Sequence, residues 1–251
     1  MATSFDKNDK SSRRAVADDV RRKQSRSERR KTFAIVGACV AVALLIVGAA
    51  AYSPIKNWWD LRQFRGLDLA SIGAPAKACG KITTKEASGE QTHVPEGTNI
   101  EYTDAPPAFG EHYAEPDGME RKLYTEEDRP PLGELVHNLE HGYTILWYDQ
   151  SIADDGSQMD ELRGIADKLQ GTGSMRLKFK AVPWLSSDEN GKKFPDGQHI
   201  ALTHWSNGGV GDDATGKPVG VFQYCTDVSG AALKDFMLDY PYTDSPEPDA
   251  L

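Results

Sequence analysis

An α+β body behind a single N-terminal membrane-crossing helix is the architecture this sequence predicts. Three observations carry that prediction. A basic head, a twenty-residue stretch without charge and an acidic remainder follow one another along the 251 residues. A turn-rich stretch holding many Pro, Gly and acidic residues covers residues 93–131. After it, helical and strand periodicities alternate to residue 241.

The head is residues 1–31. It holds eleven Lys/Arg and five Asp/Glu, a net charge of +6, so the chain beyond it carries −15 of the overall −9. Polar, charged and poor in aromatic residues, it is expected to be a disordered tail. Its mixed signs argue against a nucleic-acid arm, and a cytoplasmic, lipid-facing role fits better.

Residues 32–52, "TFAIVGACVAVALLIVGAAAY", come next. The nineteen apolar or small residues 33–51 make a helix about 29 Å long, close to the roughly 30 Å hydrocarbon core of a bilayer. The cluster "RSERRK" precedes them, and Tyr52, Lys56, Trp58 and Trp59 follow as interfacial anchors. The positive-inside rule then puts the N-terminus in the cytoplasm and the rest outside the plasma membrane. A cleaved signal peptide is the alternative, since "GAAAYS" contains an A-x-A pattern. The long charged head and long apolar run favour the anchor. Both readings export the body.

Residues 53–90 read as a juxtamembrane linker, residues 91–243 as the extracytoplasmic domain and residues 244–251 as a flexible tail. Within the domain, residues 99–103 are a candidate strand. "GELVHNLEHG" reads as a short helix with the stripe Leu132, Leu135, Val136 and Leu139, ended by Gly142. "YTILWYD" reads as a strand buried on both faces. "SQMDELRGIADKLQG" is a helix with a capping box at Ser157 and Asp160. "MRLKFKAV" alternates, which predicts a half-exposed strand with Arg176, Lys178 and Lys180 on the wet side. "GQHIALTHW" is a further strand. "SGAALKDFMLDYP" is a helix capped by Ser229 and stopped by Pro241. The order is helix, strand, helix, strand, strand, helix. Its first half resembles half of a thioredoxin-like arrangement.

Three cysteines are present. Cys39 falls in the apolar segment. Cys79 and Cys225 lie outside, where disulfides persist, either as one bridge or as two free thiols. No C-x-x-C occurs, so a thioredoxin-type redox centre is unsupported. A P-loop, a dinucleotide fingerprint and a G-x-S-x-G are also missing, and "GDDATGK" at residues 211–217 reads as an acidic loop.

All six histidines, His93, His112, His137, His141, His199 and His204, lie in the body. His137 and His141 belong to H-N-L-E-H, which matches the inverted zinc-protease pattern H-x-x-E-H. The protease pattern needs a sustained helix, whereas Gly142 and a strand follow here at once. On a helix the two rings stand one turn apart, off the apolar stripe. They point either to solvent or into a polar site made by another segment. Two such imidazoles can share a transition ion, zinc or copper, if a third ligand arrives. His112 is the nearest candidate and His93 the next. Glu140 can serve as ligand, as tautomer-fixing partner or, in a metal-dependent hydrolase, as general base. The bland alternative is a polar histidine cluster in a metal-free module that meets another cell-envelope protein. His199 and His204, on opposite faces of one strand, receive no chemistry.

The segments "QTHVPEG", then Tyr102, Pro106, Pro107, Gly110, His112 and Tyr113, then "LVHNLEHGYTILWYD" together resemble domain-of-unknown-function family 3105. Ala108 and Phe109 depart from the small polar residues expected there. The resemblance implies an extracytoplasmic bacterial protein of actinobacterial type, commonly with one N-terminal membrane segment. It also implies a shared cluster of His93, His112, His137, Glu140 and His141. It implies no activity.

Overall fold

The computed structural model describes residues 5–87, 91–209 and 215–250. Part of the expected tail (1–4), the end of the expected linker (88–90), most of the acidic loop at 211–217 and Leu251 lie outside the described residues. Two compact units divide the chain, residues 1–59 and 60–251.

The described residues of the first unit lie within helix α1 (Phe5–Leu61). Where the sequence reads as a disordered tail, helix runs through residues 5–31 as well. Those residues include no Gly or Pro and many good helix formers, so nothing local interrupts it. Within α1, Arg21–Tyr52 is long and apolar enough to cross a membrane by length and composition.

The second unit contains, in order, β1 (Thr83–Glu86), β2 (His93–Val94), β3 (His112–Tyr113), α2 (Leu132–Glu140) and β4 (Thr144–Tyr148). Then come α3 (Gln150–Ala153), α4 (Gly156–Lys168), β5 (Phe179–Pro183), β6 (Ile200–Ser206), β7 (Val219–Cys225) and α5 (Gly230–Asp239). The main sheet is mixed, in the order β1-β7-β6-β4-β5. β4 and β5 are parallel, while β6 runs antiparallel to β4 and to β7. The parallel pair follows from the α3–α4 crossover between the two strands.

Alternation along β4 shows why the sheet is buried on both sides. Leu146 and Tyr148 enter one core with Leu162 and Ile165 of α4 and Leu233 and Phe236 of α5. Ile145 and Trp147 enter the other with Leu135, Val136 and Leu139 of α2. Every residue of β4 is buried. The sheet therefore sits between two layers, and α2 covers one of them.

Several expectations change. Residues 60–87 are part of the body rather than a linker. Phe64 and Ile72 are buried in the core, β1 pairs with β7, and Cys79 is disulfide-bonded to Cys225. Residues 99–103 form no strand. Helix α4 is capped by Asp155, whose carboxylate accepts from the Ser157 and Gln158 amides, so the cap lies two residues before the expected one.

Residues 175–177 form a 3-10 turn, and β5 starts only at Phe179. Of its expected wet side only Arg176, ahead of the strand, is exposed; Asp117 and Gly118 cover Lys180, and His141 and the C-terminal segment cover Lys178. Lys178 and Lys180 are accordingly buried, Lys178 against three acceptors and Lys180 against two. Lys180 Nζ donates to the Asp117 carboxylate and, at 2.6 Å, to Gly118 O. Lys178 Nζ donates to His141 O, Pro248 O and Ala250 O at 2.6, 2.9 and 2.6 Å.

Those bonds also correct the expected flexible tail. Asp244 and Ser245 are buried. Asp244 accepts from Ser206 Oγ and from the amides of Asn207 and Gly209. His204, fully buried, bonds Asp244 O at 2.7 Å and Tyr143 O at 3.1 Å. Residues 244–250 are therefore packed beside the end of α2.

Candidate metal centre

The centre is assembled from three short pieces. β2 and β3 form a two-stranded parallel ladder whose register pairs His93 with His112. Residues in register on adjacent strands share a face, so the two rings lie side by side, 4.6 Å between centroids. Helix α2 supplies the rest. Its stripe of Leu135, Val136 and Leu139 faces the core, and His137, Glu140 and the following His141 project elsewhere at i, i+3 and i+4. The two imidazoles therefore point into a site made by another segment, not to solvent.

Close approach of α2 to β3 depends on Gly133. A Cβ there would lie 2.7 Å from the Tyr113 ring, which backbone packing cannot absorb. At the other end, Gly142 turns the chain with φ +86. A Cβ on it would lie 2.3 Å from Tyr242 O, so this glycine also admits the C-terminal segment.

One ligand atom each from His93, His112, His137 and Glu140 fall within 4.8 Å of one another. Only His93 is exposed; His112, His137 and Glu140 are buried. The hydrogen bonds around the rings fix what they present. His112 Nδ1 lies 2.8 Å from Gly110 O, and His137 Nδ1 lies 2.7 Å from Tyr113 O. A carbonyl oxygen only accepts, so each Nδ1 carries the proton and donates it. In the neutral ring, Nε2 then presents a lone pair to the cluster. Backbone carbonyls in this position are what orients a metal-binding imidazole.

His112 Nε2 approaches Glu140 Oε2 at 2.9 Å, and His93 Nε2 approaches the same oxygen at 3.6 Å. Yet neither His112 Nε2 nor either Glu140 oxygen has a hydrogen bond of acceptable direction. Short separation with poor direction is what atoms aimed at a common point produce. Burial tends to raise Glu140, but the histidines around it, His112 foremost, outweigh this and hold it below the usual glutamate value. Burial, followed by the neighbouring His141, pushes His137 down to about 4, so its ring is neutral at neutral pH.

A second group adjoins the first. Glu140, His141 and Glu247 also offer ligand atoms within 4.8 Å of one another. His141 Nε2 lies 2.9 Å from His137 Nε2 and 3.5 Å from Glu247 Oε2. His141 thus joins the neighbouring group rather than the first. The sequence offered no sign of Glu247, which sits in the acidic, proline-containing stretch read as a tail.

His199 lies elsewhere, at the end of β4, with Nδ1 at 2.8 Å from Asp149 Oδ2. His204 holds the C-terminal segment, as described above. Two cavities, of about 390 and 360 Å³, are lined by residues outside the histidine cluster.

No curated protein and no solved structure matches the chain significantly. A model of the family described as "Protein of unknown function (DUF3105)" matches residues 93–250, more than half of the chain and every residue of both ligand groups, so the chain belongs to that family.

Proposed function

We propose that this chain is a membrane-anchored, extracytoplasmic domain that binds a transition ion, zinc or copper, through His93, His112, His137 and Glu140, with His141 beside them. One observation carries the reading. Three imidazoles and a fully buried carboxylate converge, and two of the rings are held in the tautomer that offers Nε2. Imidazole nitrogen with one carboxylate oxygen suits zinc and copper, as it also does iron and nickel. Absent a cation, buried Glu140 has His112, His93 and His137 to offset its charge.

The hydrolase alternative needs Glu140 off the metal, acting on a bound water. Its position among the ligand atoms, with Oε2 at 2.9 Å from His112 Nε2, favours ligation instead. Arg21–Tyr52 and the basic residues at its start support a single pass with the N-terminus in the cytoplasm of the plasma membrane. An unidentified cell-envelope protein is the partner class this placement suggests. The four-strand order β7-β6-β4-β5, with only β6 reversed, supports a thioredoxin-like relationship in part of the body.

Elemental analysis of the full chain, purified in detergent under metal-replete conditions, tests the binding. Stoichiometric zinc or copper is expected, and His137→Ala should lose it. A metal-free wild type, or full occupancy in the variant, contradicts the reading.

A further inference from the structure

We infer that the centre holds two ions rather than one, with Glu140 shared between them and the second position built from His141 and Glu247. This rests on the metal-binding reading above. Three observations point to the second position.

First, Glu140 belongs to both ligand groups, and both of its oxygens are buried without a hydrogen-bond partner. A carboxylate bound to one ion through a single oxygen would leave the other oxygen buried and unsatisfied, which is costly for a charged group. A second ion removes that cost.

Second, His137 Nε2 and His141 Nε2 face each other at 2.9 Å. His137 carries its proton on Nδ1, so in the metal-free chain its Nε2 lone pair accepts the His141 Nε2 proton; that bond gives way when one ion takes His137 in the first group and another takes His141 beside that group. His141 Nε2 then lies next to that group yet offers its own ligand atom on the Glu247 side.

Third, Glu247 is placed by backbone and buried side chains, not by chance at a surface. Its amide donates to Glu140 O at 3.0 Å, which ties it to the residue whose carboxylate is shared. Lys178 Nζ binds His141 O on one side and Pro248 O and Ala250 O on the other, so one buried ammonium joins the two halves of the second position. Asp244 and His204 fix the preceding turn.

The two positions differ in chemistry. The first offers three imidazoles and one carboxylate; the second offers one imidazole and two carboxylates. The second is therefore the more oxygen-rich and takes a divalent ion of harder character with less discrimination. The Glu247 side chain is 49% exposed, so solvent completes the second ion's coordination and the ion exchanges more readily.

The test is a zinc titration of the metal-stripped full chain in detergent, followed by calorimetry and by competition with a chromophoric chelator. Wild type is expected to take up two equivalents, the second more weakly. Glu247→Ala and Glu247→Gln should weaken the second equivalent at least about tenfold and leave the first unchanged. Unchanged binding of the first equivalent also reports that the variants are folded. Saturation at one equivalent in wild type overturns this inference but leaves the single-ion reading standing. A second equivalent bound as tightly in both variants as in wild type overturns it as well. No uptake by wild type ends both readings.

Discussion

The ion pair between Lys180 and Asp117 makes a lopsided prediction, because its two members are buried to different depths. Lys180 is fully buried, whereas 19% of the Asp117 side chain is exposed. Asp117→Ala strands the ammonium. It keeps only Gly118 O and the ring faces of Tyr143 and Tyr124, at 5.2 and 5.6 Å. Removing one member of a buried pair in this way costs about 3–5 kcal/mol. Lys180→Met instead removes the buried charge. Asp117 then retains the Tyr124 hydroxyl as donor and reaches water through its exposed edge. Replacing a buried charge by an apolar side chain of similar length runs from neutral to about 1 kcal/mol of cost once the bond to Gly118 O is counted. Urea unfolding of the two single variants and the double variant, read by tryptophan fluorescence, measures the difference. Asp117→Ala should be at least about 2 kcal/mol worse than Lys180→Met, with the double variant close to Lys180→Met. Equal losses in the two single variants would refute the reasoning. The site helix feels this pair too, since Asp117 O accepts from Asn138 Nδ2 at 2.8 Å.

Two further outcomes follow from the same body. Cys79 and Cys225 close a loop of 146 residues, and the backbone on either side is already paired, Gly80 N to Tyr224 O and Thr226 N to Ala78 O. The bridge acts mainly on the unfolded chain, so Cys79→Ser with Cys225→Ser should lower stability by up to about 5 kcal/mol in the chain-entropy model; an unchanged urea midpoint would contradict this. Stability should also rise between about pH 8 and pH 10. Burial pushes Lys122 and Lys178 down to about 8 and lowers Lys180, so the unfolded chain binds more protons than the folded one from there up to its own lysine range. Above pH 10 the sign reverses, because burial raises Tyr124, Tyr143 and Tyr148. Unfolded tyrosines then lose protons first. Urea midpoints at pH 7, 9, 10 and 11 should therefore pass through a maximum, and a steady fall from pH 7 would contradict the buried lysines.

The sequence made one half of the centre legible and hid the other. His137, Glu140 and His141 were readable because helical spacing sets them on one side of α2 whatever they touch. The pairing of His93 with His112 was not, since two-residue strands carry no periodicity, although both histidines stood out in an irregular, turn-rich stretch. Glu247 left no trace, because an acidic, proline-containing end looks like a tail until Lys178 and His204 tie it down. Alternating lysines misled for a related reason. Lys178 and Lys180 follow the pattern of a wet strand face, yet each finds enough acceptors to be buried. β7 escaped because Gly220 and Gln223 interrupt its apolar run, though it is the strand that carries Cys225 and pairs with both β1 and β6. Long, strongly patterned elements such as β4, α4 and α5 were recoverable. Contacts made by single residues across the fold were not.

X-ray absorption at the metal edge of the zinc- or copper-loaded full chain tests the central claim most directly. The account predicts a first shell of nitrogen and oxygen only, with imidazole multiple scattering from about three rings at the tighter site and a loss of that signal in His137→Ala. A sulfur-containing shell, or a shell without imidazole scattering, would contradict it.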